Sequence, residues 1–329
     1  NRNPVTPFVN SDFITAVVFV AAFGLIYLTN RSARHEPPID RDTVRVFGMV
    51  VATLGCIVLY NMFRVEISNY FYLASVNTRG ADDPASVTGH LGDLLTFNIA
   101  WQLNYTLFFL TAMAATNLKR LRSSSLAMVN TVAAIVALAA FATVSMFLFN
   151  ELRTIFLAGN FNPDHISHWL YIGIRPISYI IAAVLVYMLY EYSRDPMLEE
   201  RIETPVLRYG FDALAYTLGF IVASCELINL MGQFGIPDAT KLGLSILWGI
   251  YALMLIVIGI AKDKKHLRIA AMVLLFVTLI KLFFYDIADL DTIPKTILFV
   301  TLGITLLLVS FLYNKYKGVI FKADVVPED

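Results

Sequence analysis

Four ionisable residues lie inside long apolar stretches of this sequence, where a charge is costly. They are Arg175, Asp212, Glu226 and Lys281. A charged side chain in the hydrocarbon of a bilayer needs an opposite charge or water beside it, and such residues commonly mark substrate or proton pathways. Arg175 and Glu226 have opposite signs and can equally neutralise each other. Asp212 follows Arg208 by four residues, one helical turn, so we expect a local ion pair there.

Uncharged polar residues extend this set. Gln102 lies in another apolar stretch, and Asn229 shares a helix face with Glu226, three residues earlier. Amides also join helices through hydrogen bonds worth about 1 kcal/mol, and Lys281 can extend towards Asp286, so a structural role stays open for each. The predicted substrate-binding residues are Arg175, Glu226, Lys281, Tyr285, Asp286, Gln102 and Asn229.

A second group of polar residues lies between the apolar stretches. His165 and His168, beside Asp164, could ligate a metal or act as a base. No third histidine is near them in the sequence, so we predict no metal site. The acidic residues of the segment 64–95 could serve as acids in a transferase, although a solvated loop accounts for them more simply; they are Glu66, Asp82, Asp83 and Asp93.

Signatures of several function classes are missing from the sequence. It contains no phosphate-binding glycine loop, no dinucleotide fingerprint and no zinc-protease motif, so we predict no cofactor. The net charge is zero, which gives no basis for nucleic-acid binding. Cys56 and Cys225 lie far apart in apolar stretches, which argues against a disulfide framework.

The composition requires that the elements carrying these residues be embedded in lipid. The 329 residues are 58% hydrophobic and 15% charged, with a mean hydropathy of +0.68, whereas soluble domains are about 45–50% apolar and about 25% charged. A spanning helix needs about 20 apolar residues. We predict an all-α polytopic transmembrane bundle, a single domain over 1–329, with about nine helices at 13–29, 44–63, 96–117, 126–149, 169–190, 206–230, 242–261, 268–286 and 294–314.

The distribution of basic residues predicts the orientation of these helices. Lysine and arginine are concentrated after helices 1, 3, 5, 7 and 9 and are sparse on the opposite side. Because cytoplasmic loops carry this excess, the N-terminus is predicted outside and the C-terminus in the cytoplasm. The two longest outer loops are then 64–95 and 150–168. Most of the intramembrane polar residues fall in the outer half, which favours a pocket that opens outward.

The last part of the chain carries a motif of the form K-x-F-x-Y-D, from Lys281 to Asp286. Residues 242–316 resemble the C-terminal region of a large bacterial family of multi-pass predicted membrane proteins to which no activity is assigned. That family usually has an arginine where this chain has Lys295. Its members are longer, and no signal-peptide pattern precedes the first apolar stretch here, so we expect this chain to be the C-terminal part of a longer protein. The other matching positions are Ser245, Trp248, Tyr251, Ala252, Leu267, Arg268, Leu290, Leu302, Gly303, Ser310 and Tyr313.

These observations favour a bacterial inner-membrane protein that binds or moves a lipid-linked or polar envelope substrate in an outward-facing pocket. Arg175 and Lys281 would contact an anionic headgroup, and Glu226 would serve as counter-charge or proton carrier. The expected partners are membrane lipids and proteins of the envelope. One alternative is a non-catalytic scaffold of an envelope complex. Another is a membrane-embedded transferase acting at the outer face.

Overall fold

The computed structural model describes residues 6–32, 41–78, 84–159, 166–199, 204–236, 240–282 and 292–320. Every regular element within these ranges is helical, which confirms the predicted fold class. The helices are α1 (Ser11–Ser32), α2 (Arg41–Thr78), α3 (Pro84–Thr116), a π-helical turn (Asn117–Leu121), α4 (Ser124–Ala158), α5 (Leu170–Tyr192), α6 (Pro196–Glu199), α7 (Thr204–Gln233), α8 (Thr240–Ala261), α9 (Lys265–Lys281) and α10 (Thr292–Ile320).

Length and apolar composition identify six of the described helices as candidate membrane spans. This is fewer than the nine predicted. In α3 the residues Asn98, Gln102 and Asn104 lower the hydropathy. α9 is described over 17 residues, and the end of the predicted span 268–286 lies outside the described residues. In α10 the apolar stretch found is Phe299–Phe311. The six candidates are Ser11–Thr29, Val46–Asn77, Ser124–Ala158, Leu170–Tyr192, Pro205–Gln233 and Thr240–Ala261.

The segment 64–95, which was predicted as an outer loop, is helical over 64–78 and 84–95. α2 has 38 residues, a length of about 57 Å at 1.5 Å per residue, so it extends well past the predicted span 44–63. The solvated-loop interpretation is wrong for two of the acidic residues in this segment. Glu66 and Asp93 are 1% and 2% exposed. Asp82 and Asp83 lie outside the described residues.

The contacts divide the chain into two compact units, Asn1–Arg201 and Ile202–Asp329. In the first unit, α2 packs against α1 and α3, and α3, α4 and α5 pack against one another. The buried face of α4 carries Ala127, Ala134, Ala137 and Ala142. Small side chains of this kind let helices approach closely where lipid removes the usual hydrophobic drive for association. The prediction of one membrane domain over the whole chain stays a prediction.

A buried asparagine fixes the turn between α3 and α4. The side chain of Asn117 accepts a hydrogen bond from the backbone N–H of Ser123 at 2.9 Å and donates to the Ser123 carbonyl at 3.0 Å. It also donates to the hydroxyl of Tyr192 at the end of α5, at 3.2 Å. Ser123 in turn caps α4 by accepting from the N–H of Leu126. One amide thereby satisfies backbone groups that the helix ends would leave unpaired.

Pro176 does not break α5. The helix continues from Leu170 to Tyr192 through this residue, beside the buried Arg175. Proline removes one backbone hydrogen bond, and neighbouring groups in a packed bundle tolerate this in membrane helices.

In the second unit, α8 packs against α7, α9 and α10. The turn from α8 to α9 depends on Gly259, because a Cβ there would lie 2.8 Å from Cγ of Arg268 and 3.1 Å from its backbone nitrogen. The close approach lets the guanidinium of Arg268 donate to the Gly259 carbonyl at 3.1 Å. The same carbonyl accepts from the backbone N–H of Lys264 at 2.8 Å, and Asp263 takes a positive φ of 49° in this turn. A cation thus sits at the negative end of α8.

Asp212 does not form the predicted pair with Arg208. Its carboxylate, 5% exposed, accepts from Nζ of Lys264 at 2.6 Å and lies 2.8 Å from Nε2 of His266. The α8–α9 turn brings these two residues to α7, whereas Arg208 is exposed. The carboxylate therefore joins α7 to the α8–α9 turn instead of pairing with a residue of its own helix.

Candidate functional site

The first unit contains a cavity of about 350 Å³ at one end of its helices. The segment before α1, the C-terminal half of α2, the middle of α3 and the start of α5 with the segment before it form its walls. Half of the lining residues are aromatic and one is an acid. The lining residues are Pro7, Phe8, Glu66, Ile67, Tyr70, Phe71, Phe97, Trp101, Ile166 and Leu170.

The cavity has a buried floor and an exposed rim. Phe71, Phe97 and Ile166 are buried. Phe8 and Tyr70 are 55% and 48% exposed, so the opening lies beside them. The spacing of Glu66, Tyr70 and Phe71 along α2 follows from helical periodicity, because residues four apart share a face.

Glu66 on α2 carries the charge of this cavity. Its carboxylate accepts from the backbone N–H of Phe8 at 2.6 Å. The amide of Asn10 donates to the two oxygens at 3.0 and 3.2 Å, and the amide of Asn69 donates at 3.3 Å. All of these donors are neutral. Among the described residues, no lysine or arginine forms an ion pair with Glu66, so its charge is balanced by dipoles and by no cation.

A second buried carboxylate lies behind the wall of the cavity. Asp93 on α3 accepts a hydrogen bond at 3.2 Å from the hydroxyl of Tyr171 at the start of α5. The Tyr171 ring packs edge-on against Phe97, with centroids 5.0 Å apart. Arg175 follows one turn later on the same face of α5 and is also buried. Arg153 on α4 lies close enough to repel its guanidinium. Asp93 and Arg175 thus bury charges of both signs near this end of the unit.

Gln102, predicted as a substrate contact, lies on α3 beside the cavity but does not line it. Its amide donates to the side chain of Asn98, one turn earlier, at 2.9 Å. Arg175 does not line the cavity either. Gln102 and Arg175, the two substrate contacts predicted in this unit, therefore lie close to the cavity but do not line it.

In the second unit, Lys281 meets the beginning of α8. Its ammonium donates to the hydroxyl of Ser245 at 2.7 Å and to the backbone carbonyl of Lys241 at 3.3 Å. It also lies 5.6 Å from the ring centre of Trp248, whose Nε1 donates to Ser224 on α7 at 3.1 Å. Two oxygen acceptors and a ring face thus surround the ammonium.

The other predicted contacts of this unit are placed on α7 or fall outside the described residues. Glu226 is half-buried and Asn229 is buried on that helix. Tyr285 and Asp286, the end of the K-x-F-x-Y-D motif, lie outside the described residues, as does His165. His168 stacks on Phe156 at 4.6 Å between centroids. The described residues contain no group of three or more metal-ligating side chains arranged to hold an ion.

Sequence reasoning missed the cavity because the hydropathy of α2 falls after residue 63. A signal was nevertheless present. No glycine or proline occurs from Cys56 to Arg79, so nothing in this stretch stops a helix that has already begun. Extending the helix places Glu66, Asn69 and Tyr70 on one face, which gathers acid, amide and aromatic groups where the structure has its cavity.

The helices and their composition define a polytopic α-helical membrane protein. The chain belongs to the family described as Predicted membrane protein (DUF2339), whose model matches residues 4–316. The resemblance carried by the K-x-F-x-Y-D region is therefore confirmed, and the match extends over nearly the whole chain. A comparison with curated proteins finds no match. A comparison with solved structures finds none either.

Proposed function

We propose that this protein binds an amphiphile of the bacterial inner membrane, a lipid or lipid-linked substrate, in the cavity of its first unit. The observation that carries the proposal is a cavity with apolar and aromatic walls and one buried carboxylate, Glu66. Ligand sites in proteins have this composition, in which apolar walls supply contact area and a few polar groups orient the ligand.

The position of the cavity along the helices supports a headgroup site. Within the candidate span Val46–Asn77, Glu66 lies three residues after its apolar stretch 44–63. Phe97 lies at the start of the predicted span 96–117, and Leu170 opens the candidate span Leu170–Tyr192. The three elements thus contribute the parts that lie at the ends of their spans, where lipid headgroups meet the hydrocarbon. With the N-terminus outside, as the basic residues predict, this is the extracytoplasmic surface.

The size of the cavity limits what it can hold. At about 350 Å³, it is near the lower end of the roughly 300–1,000 Å³ typical of small-molecule sites. It accommodates a headgroup and the first carbons of a chain, and the rest of the chain would remain in lipid. This arrangement suits recognition of a membrane molecule and gives it a route into the site through the exposed rim at Phe8 and Tyr70.

A competition experiment with a photoactivatable lipid tests this function. The full chain is purified in a neutral detergent, labelled, and analysed by peptide mass spectrometry with and without excess unlabelled amphiphile. We expect labelling of the peptides that contain Ile67 and Trp101 to be saturable and competed. Labelling at Phe311, which is exposed on α10, serves as the control and should persist, because it reports bulk contact with lipid.

The alternatives predict other results. Labelling that is equal and uncompeted at the cavity and at Phe311 would contradict the proposal. Stoichiometric co-purification of envelope proteins, without saturable labelling, would favour a scaffold. Conversion of the bound amphiphile into a new product, lost on substitution of Asp93, would favour a transferase. Movement of substrate across vesicles that Glu226→Gln abolishes would identify a transporter.

A further inference from the structure

Most acceptor positions of Glu66 are already occupied, although no lysine or arginine of the described ranges neutralises its charge. An ionised carboxylate offers about four lone-pair sites. Three N–H groups occupy most of them: those of Phe8 and Asn69, and one N–H of the Asn10 amide that is shared between the two oxygens, since its other N–H donates to the Thr6 carbonyl. A ligand in the cavity therefore meets a negative charge that can attract a cation but has little capacity left to accept a hydrogen bond from it.

The rest of the lining is suited to a cation that needs no hydrogen bond. The lining residues other than Glu66 carry no charge, and they include the rings of Phe8, Tyr70, Phe97 and Trp101. Aromatic faces attract cations through their quadrupoles, and groups of such rings are used to recognise quaternary ammonium ions. A primary ammonium would lose its hydration without gaining acceptors for all three of its N–H groups.

We propose that the headgroup bound in this cavity is a quaternary ammonium, held between the aromatic rings and the Glu66 carboxylate. This assignment rests on the proposed amphiphile-binding function and names the chemical class of its headgroup. A phosphate or sulfate headgroup is disfavoured because it would face an anionic carboxylate. A sugar headgroup is disfavoured because the walls offer few polar partners for its hydroxyls.

The test compares water-soluble probes that share one hexyl chain and differ in the head. They are hexyltrimethylammonium, hexylammonium, hexyl glucoside and hexyl sulfate, with tetramethylammonium as the head alone. Binding to the full chain in dodecyl maltoside is measured by the emission of Trp101 in a Trp169→Phe/Trp248→Phe background, since the chain has three tryptophans. Calorimetry on the unsubstituted chain provides a second measurement that does not depend on these replacements.

We expect hexyltrimethylammonium to bind about tenfold more tightly than either hexylammonium or hexyl glucoside. A tenfold difference in affinity is the size expected for a desolvated cation that contacts aromatic rings and a carboxylate. Glu66→Gln should reduce this preference to about threefold or less. Glu151→Gln is the matched control, because it makes the same change at an exposed residue outside the cavity, and it should keep the full preference. If Glu66→Gln does not fold, the relative affinities of the unsubstituted chain for the four hexyl probes test the proposal.

The outcomes separate the two proposals. Tightest binding of hexyl glucoside or hexyl sulfate would overturn the quaternary headgroup and leave amphiphile binding intact. Equal binding of hexylammonium would overturn the argument from occupied acceptors. Failure of every hexyl probe to bind saturably would overturn the amphiphile function itself. Tetramethylammonium binding as tightly as hexyltrimethylammonium would support the quaternary ammonium site, overturn amphiphile binding and identify a soluble quaternary ammonium ion as the ligand.

Discussion

Replacing Gly259 by alanine tests the packing of the second unit most directly. The added methyl group would lie 2.8 Å from Cγ of Arg268, 3.1 Å from its backbone nitrogen and 3.3 Å from Cβ of Leu267. The side chain of Arg268 can rotate away, but the backbone nitrogen cannot move without shifting α9. Rotation would also break the hydrogen bond from the guanidinium to the Gly259 carbonyl, so the clash cannot be removed without losing this bond.

Two opposing terms set the magnitude of this effect. Forcing a methyl group into packed surroundings costs about 1–3 kcal/mol. Alanine in place of glycine inside a helix stabilises the folded state by about 0.5–1 kcal/mol, because the chain loses less conformational entropy on folding. We therefore expect Gly259→Ala to lower the unfolding free energy by about 1–2 kcal/mol. Gly210→Ala on α7 is the matched control: nothing lies within 4 Å of its added Cβ, so only the favourable term remains.

The measurement is unfolding by sodium dodecyl sulfate in dodecyl maltoside micelles, followed by the emission of Trp248. This tryptophan lies on α8 in the same unit as both glycines, and Trp101 and Trp169 are replaced by phenylalanine to isolate its signal. The two variants should differ by about 2 kcal/mol, with opposite signs relative to the parent. Equal stabilities, or a more stable Gly259→Ala, would refute the close approach of α8 and α9.

The same unfolding assay checks two further substitutions. Asp212→Asn should cost about 1–2 kcal/mol, because the buried carboxylate holds Lys264 and breaking a partly buried pair leaves a charge unmatched. Asp263→Asn should cost less than about 1 kcal/mol, because this carboxylate is 77% exposed and screened by solvent and its buried partner Arg268 keeps the hydrogen bond to the Gly259 carbonyl. The reverse order would show that Asp212 does not join α7 to the α8–α9 turn. Lys281→Met should leave stability within about 1 kcal/mol, since methionine keeps the apolar stem and removes a costly charge; a loss above about 2 kcal/mol would assign Lys281 a structural role.

Helix positions were predictable from the sequence because lipid imposes a simple requirement. A span must present about 20 apolar residues, and each of the predicted segments up to 242–261 begins within or beside a helix of the structure. Helix ends were less predictable, since hydropathy reports immersion in lipid and says little about where a helix stops. α2 continues to Thr78, well beyond residue 63, and carries Glu66 with it.

The candidate site was not predictable because its contacts join residues distant in the sequence. Glu66 meets Phe8 across 58 positions and Asp93 meets Tyr171 across 78. No local spacing encodes such pairs. Asp212 illustrates the same limit, since the nearby Arg208 offered a plausible helical partner whereas the structure supplies Lys264, 52 positions away.

The carboxylate of Glu66 both charges the cavity and fastens one of its walls. Pro7 and Phe8 belong to that wall, and the wall is tied to α2 through the Phe8 N–H and the Asn10 amide. The position of this wall and the position of the charge that faces the cavity therefore depend on the same hydrogen bonds. A ligand that draws the carboxylate inward loosens the N-terminal segment, and by thermodynamic reciprocity anything that displaces this segment changes the ligand's affinity by the same factor.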